Sequence, residues 1–296
     1  MNRLKTIMVQ TAAAMFFIGT AAQTAAQDTG PKEQSASGPQ NEDIVVQGES
    51  KNSLRDLLES VLAEARDGQM ARFAAPICPR ALGFPTTYGP TIEQRIRRDA
   101  KKAGLKTGGA KCTGNLIVIV SDDPPAFLSY AFKTVPGMFD ALTHAERNAL
   151  FANTGPSWAW QAVEAVDSYG QPADIAGQTK MRASRIGLEG RQNFSLSFVV
   201  IDVGAIEGLT LQQLADFAAM RTLAKVRNEA TRSQRPDSIL GLFALPDKKR
   251  PEEITSGDLA MLRALYATSP SLSAKRQRAA MERQMKREEE SGAGEN

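Results

Sequence analysis

Few side chains in this 296-residue chain are of a kind that does chemistry, and fewer still stand at a useful spacing. The only histidine is His144, within the run Leu142-Thr143-His144-Ala145-Glu146. As a general base it would need a nucleophile and an acid supplied by the fold, and no Gly-x-Ser-x-Gly elbow is present. One residue after Thr143, a suitable helix cap, it also reads as an exposed first-turn side chain. Asp122 and Asp123 follow the apolar run NLIVIV, where loops commonly carry function. Such a pair can bind a cation or divide acid and base roles. With Pro124 and Pro125 next, it can equally form a turn and cap a helix. Trp158 and Trp160, two apart, share one side of a strand, as a stacking platform or as core.

The first residues bear on compartment. Arg3 and Lys5 precede a mostly apolar run, and small residues follow at Thr24, Ala25 and Ala26. This is the pattern of a secretory signal over residues 1–26, with cleavage expected after Ala26 and Ala22 as the other candidate. The run is interrupted at Gln10 and Thr11 and is shorter than the roughly 20 apolar residues of a span. No later segment is apolar enough to cross a bilayer, so no transmembrane span is expected after signal removal. In an oxidising compartment Cys78 and Cys112, the only cysteines, have one intramolecular pairing and are expected to form a disulfide. The close pairs and added ligands of a cysteine metal site are missing. No cofactor is implied: Lys106–Gly114, KTGGAKCTG, lacks the spacing of a phosphate-binding loop. With 36 Lys+Arg against 33 Asp+Glu, the net charge of +3 gives no reason to expect nucleic acid, and the partner is unknown.

The elements that would position these residues are read from periodicity. Residues 27–50 form a polar, Gly- and Pro-containing linker with a short β-prone run at Asp43–Gly48. Helical spacing runs from Ser53 to Gly68, with Leu54, Leu57, Leu58, Val61, Leu62 and Ala65 on one stripe. MARFAAPICP reads as a strand. The segment 89–104 reads as an amphipathic helix with Ile92, Ile96, Ala100 and Ala103 inward and its charges in water. Asn115–Val120 is the strongest strand, buried on both faces. Helices are expected from Ala126 to about Thr134 and after Thr143. Strands are expected from Ser157 and at Asn193–Val203, joined by a region left open as loop or hairpin. A helix from Leu211 to about Val226 and another capped by Thr255 or Ser256 follow. With no internal repeat, this order points to an α+β domain over residues 51–268 with a single mixed β-sheet packed with helices. Residues 269–296 form a charged tail, a solvated helix that frays, on which Met281 and Met285 make a weak docking stripe.

Short patterns between Gly208 and Ala267 resemble a known family. FSLSFVVIDV leads into the helix LQQLADFAAMRTLA, DSILGLF is similar to a turn, and ITSGDLAMLRALY resembles a terminal helix. These are similar to the order of zincin metalloproteases, in which a strand leads into a helix bearing H-E-x-x-H. Upstream, MARFAAPICP, the helix 90–103 and GNLIVIV follow a zincin's first strand, first helix and next strand. The resemblance implies an exported protein with a degenerate zincin-like domain over residues 70–267. It places Asp216 and Met220 at the ligand positions and Phe217 at that of the general base. Thioether sulfur is a poor zinc partner and Phe217 cannot take a proton, so that helix is expected to be core. The leading expectation is a non-enzymatic envelope binding or assembly factor. Two alternatives stay open: a hydrolase using Asp122, Asp123 or His144, and an envelope interaction protein acting through its tail.

Overall fold

The computed structural model describes residues 53–65, 68–109, 111–167, 169–172 and 190–293. The expected signal, the linker and most of the connection between the two long strands lie outside these residues. The sheet has four strands in the order β1 (Pro79–Leu82), β2 (Leu116–Ser121), β4 (Gly190–Asp202) and β3 (Ser157–Asp167). β1 pairs parallel to β2 and β2 parallel to β4, while β3 runs antiparallel to β4 and forms one edge. With seven helices among the described residues, the fold is α+β with a single mixed sheet.

Side chains that alternate along the strands divide the core in two. Leu116, Val118, Val199 and Ile201 face a thick layer of helices: α1 (Ser53–Val61), α2 (Tyr88–Lys102), α5 (Leu211–Leu223), α6 (Ser256–Ala267) and α7 (Ala274–Ala293). Ile119, Phe198 and Val200 face a thinner layer made by α3 (Pro124–Thr134), α4 (His144–Phe151) and the turn at Phe139. There Phe139, Trp160 and Phe198 stack in sequence, with centroids 5.1 and 4.8 Å apart. Trp158 and Trp160 are both buried on this side, as core rather than platform.

Four helices start at side-chain caps, α3 two residues ahead of the expected Ala126. Thr143, Thr210 and Thr255 each close a capping box, and Asp123 accepts from Ala126 N–H at the start of α3. Several ends differ from periodicity. α1 stops at Val61 rather than Gly68, and α5 stops at Leu223 rather than Val226, for one reason. Leu62 and Val226 bridge antiparallel, with Ala63 N–H bonded to Lys225 O and Arg227 N–H to Val61 O. MARFAAPICP is not a strand in its own right. Arg72 bridges to Asn193 on the part of β4 that lies before its pairing with β2, and regular pairing of this region begins only at Pro79. β4 in turn begins at Gly190, three residues ahead of the expected Asn193.

The C-terminal segment is helical, but it is not solvated all round. Ala274, Gln277, Met281 and Met285 are buried, Gln277 Oε1 accepts from Met70 N–H at 2.7 Å, and α7 packs on α6 and α1. The methionine stripe therefore docks on the chain's own core. Cys78 and Cys112 are disulfide-bonded with Cα atoms 6.0 Å apart, tying the start of β1 to the turn before β2. Gly108 is required beside them, since a Cβ there would lie 2.5 Å from the Cys78 sulfur. Among the described residues no helix is long and apolar enough to cross a membrane.

Candidate functional site

The helix α5 sits under the sheet with every residue from Gln213 to Leu223 buried. Phe217 is fully enclosed and meets the Phe243 ring edge-on at 4.8 Å, and Met220 is equally inaccessible. Asp216 faces α2. Its Oδ1 accepts from Arg95 Nε at 2.5 Å, and its Oδ2 accepts from Arg95 Nη2 at 2.7 Å and Ile254 N–H at 2.6 Å. The carboxylate at the expected ligand position thus has a two-pronged guanidinium and a main-chain donor on it. Among the described residues no three His, Cys, Asp or Glu side chains converge in a way that could hold a metal.

The charged face of α2 is not wholly in water, as amphipathic spacing suggests. Arg95 turns inward, and Asp99, one turn later, is completely buried. Neither Asp99 oxygen receives a hydrogen bond; Arg95 Nε approaches at 3.8 Å and Arg98 Nε at 4.0 Å. Burial pushes the Asp99 carboxyl up to about 8, the adjacent Asp216 carboxylate pushes the same way, and Arg95 and Lys102 oppose both. Asp99 therefore holds its proton at neutral pH. Glu253 closes the cluster from outside, 2.9 Å from Arg95 Nη2.

The three polar candidates from sequence do not assemble into one site. Asp123 serves as the cap of α3, Asp122 is exposed beside it, and His144 is exposed at the start of α4, its Nδ1 3.2 Å from Asn148 Nδ2.

A different place has an open geometry. Along β3 lies a groove of about 680 Å³ lined by Ala159, Trp160 and Gln161. Three consecutive strand residues point to alternate faces, so a cavity touching all three lies against the edge of the strand. The pairing with β4 fixes which main-chain groups look outward. Asp202 N–H bonds to Pro156 O, and Ser157 stands opposite Ile201, which makes Trp158 and Trp160 the residues bonded to β4. Ser157, Ala159 and Gln161 therefore direct their N–H and C=O away from the sheet. Ser157 O accepts from Asn153 Nδ2, while the main chains of Ala159 and Gln161 have no such partner among the described residues.

The walls of the groove are held from below. Gln161 Nε2 bonds to Arg221 O at 3.2 Å and Ser197 Oγ at 3.4 Å, anchoring the side chain inward. Arg221, fully buried on α5, donates to Val226 O at 3.2 Å and Asn228 Oδ1 at 2.9 Å, which fixes the 225–229 wall. Burial lowers its guanidinium to about 10, with Glu229 opposing. The other wall is Leu142 and the apolar side of α4, with Ala145, Ala149 and Leu150. Across the groove Lys225 Nζ pairs with Glu146 Oε1 and donates to Glu64 O at 3.0 Å. Glu146 Oε2 meanwhile accepts from Thr143 N–H and Thr143 Oγ1, each at 2.8 Å. Burial alone would raise the Glu146 carboxyl, but the Lys225 and Thr143 bonds outweigh it and hold the group low. A second cavity of about 150 Å³ continues past this pair along Val163 and Ala165. Apart from Trp160, none of these residues stands out in the sequence, because their roles depend on strand register and on a contact 79 residues long.

No family model, no curated protein and no solved structure matches this chain.

Proposed function

We propose that this is an exported, non-enzymatic binding factor that takes up an extended peptide segment along the free edge of β3, on a scaffold resembling a degenerate zincin. Export rests on the basic, apolar and small-residue order of residues 1–26 and agrees with the disulfide between Cys78 and Cys112. The zincin-like reading is supported by element order: β1, α2, β2, then β4 leading into α5, the turn at Ser238–Leu240 and α6. A binding role without catalysis is supported by the state of α5, whose Asp216, Phe217 and Met220 are bonded or packed into the interior.

The observation that carries the reading is the pair of outward main chains at Ala159 and Gln161 along the groove, half-buried at Ala159 and buried at Gln161. An unpaired edge offers alternating donors and acceptors at the repeat of another strand, and extended peptides bind such edges by adding to the sheet. The apolar wall of α4 on one side and the polar 225–229 wall on the other suit a strand whose side chains alternate in the same way. The test uses a fluorescent octapeptide of alternating valine and threonine and reads anisotropy. Binding to the wild-type protein is expected, with at least a tenfold loss in Ala159→Pro. Proline removes an outward N–H that the sheet does not use, so the thermal midpoint should stay put. No binding to the wild type, or equal binding to the variant, overturns the reading.

A further inference from the structure

Resting on that reading of the β3 edge, we infer that the groove receives a chain end, with the C-terminal carboxylate of the bound segment paired to Lys225. The larger cavity runs beside Ala159 to Gln161 and meets the Glu146–Lys225 pair, which separates it from the smaller cavity beyond. Both cavities share Gln161, Glu146 and Lys225, so the pair lies across the path an added strand would follow. A segment passing straight through would have to part it along its whole width. A segment that ends there needs only an exchange of partners.

The surroundings of the two charges decide which end fits. If Glu146 loses Lys225, its other oxygen keeps both Thr143 bonds, so the carboxylate is still held by the cap it serves. If Lys225 instead lost its carboxylate to an incoming amine, only the carbonyl of Glu64 would remain for an ammonium that is mostly buried. An incoming carboxylate adds an anion and an incoming amine adds a cation, so the remaining partners decide: Thr143 still holds Glu146, whereas Lys225 would keep only Glu64 O. The carboxylate end is therefore accepted and the amino end is not. Because Gln161 lies downstream of Ala159, a segment ending at Lys225 runs parallel to β3. No covalent step is involved.

The test compares the valine–threonine octapeptide as free acid, as C-terminal amide, and N-acetylated, against the intact protein. The acid should bind at least tenfold more tightly than the amide, and its affinity should fall with added salt while that of the amide does not. In Lys225→Met the acid and amide should bind alike, and Lys225→Arg should restore the preference. The wild-type comparison stands even if a variant folds poorly. Equal binding of acid and amide to the wild type, with binding still lost in Ala159→Pro, overturns the chain-end inference and leaves strand addition intact. A larger effect from acetylation than from amidation overturns it in favour of the amino end. Failure of every form to bind overturns both readings.

Discussion

Replacing Asp99 by asparagine should make the protein more stable at alkaline pH and flatten its response to pH. In the unfolded chain the carboxyl titrates near 3.8, whereas burial on α2 beside Asp216 raises it to about 8 in the folded protein. Below pH 4 both states keep the proton and nothing is lost. Between 4 and 8 the unfolded chain releases a proton that the folded one retains, so rising pH favours unfolding, and above 8 the loss is complete. At about 1.4 kcal/mol per pK unit, the whole displacement is worth on the order of 6 kcal/mol. That figure is an upper bound, because the surroundings of a buried charge relax at an effective dielectric near 20, so a gain of about 2–6 kcal/mol is expected. An amide in place of the carboxyl does not titrate, so this pH dependence disappears. Urea unfolding followed by the fluorescence of Trp158 and Trp160 at pH 4.5, 6, 7, 8 and 9 measures the difference. The variant should gain on the wild type by that amount from the lowest to the highest pH. Parallel curves, or a variant that loses ground as pH rises, would refute a raised Asp99 carboxyl.

Phe217→Ala should cost about 3–5 kcal/mol in the same unfolding assay, since the ring is fully enclosed against Phe243. Met281→Ala should cost about 2–4 kcal/mol, and ending the chain at Pro270 should abolish cooperative unfolding, because α7 closes the core through Met281, Met285 and Gln277. A truncated protein that still unfolds cooperatively at the wild-type midpoint would contradict that. Reducing the Cys78–Cys112 bond, which closes a separation of 34 residues, should lower stability by about 3–4 kcal/mol, measured with and without reductant.

What could be read from the sequence is what repeats locally. The apolar run at Leu116–Val120 and the spacing of Ile92, Ile96 and Ala100 identify their elements because burial imposes a period on them. The threonine caps are equally local. The ends of α1 and α5 are not, since both are set by Leu62 and Val226 meeting across more than a hundred and sixty residues. The tail shows its methionines at helical spacing, yet nothing in that spacing says that Gln277 reaches Met70. The candidate site was the least visible of all. Its alanine is chemically silent, and only the register against β4 turns the main chain of Ala159 outward.

The unequal covering of the two sheet faces has a consequence for motion. Five helices guard one face, while the other carries α3, α4 and a short turn, with Tyr130 and Val135 left at the surface. Amide exchange should therefore proceed first through the α3–α4 side, by local openings that leave the larger core closed. α4 belongs to this weaker layer and also supplies the apolar wall and Glu146 of the groove. Any occupant then meets a wall that fluctuates, and part of its binding free energy goes into stilling it. Slower exchange at Ala145 to Leu150 on peptide addition, with α5 and α6 unchanged, is the signature of that coupling.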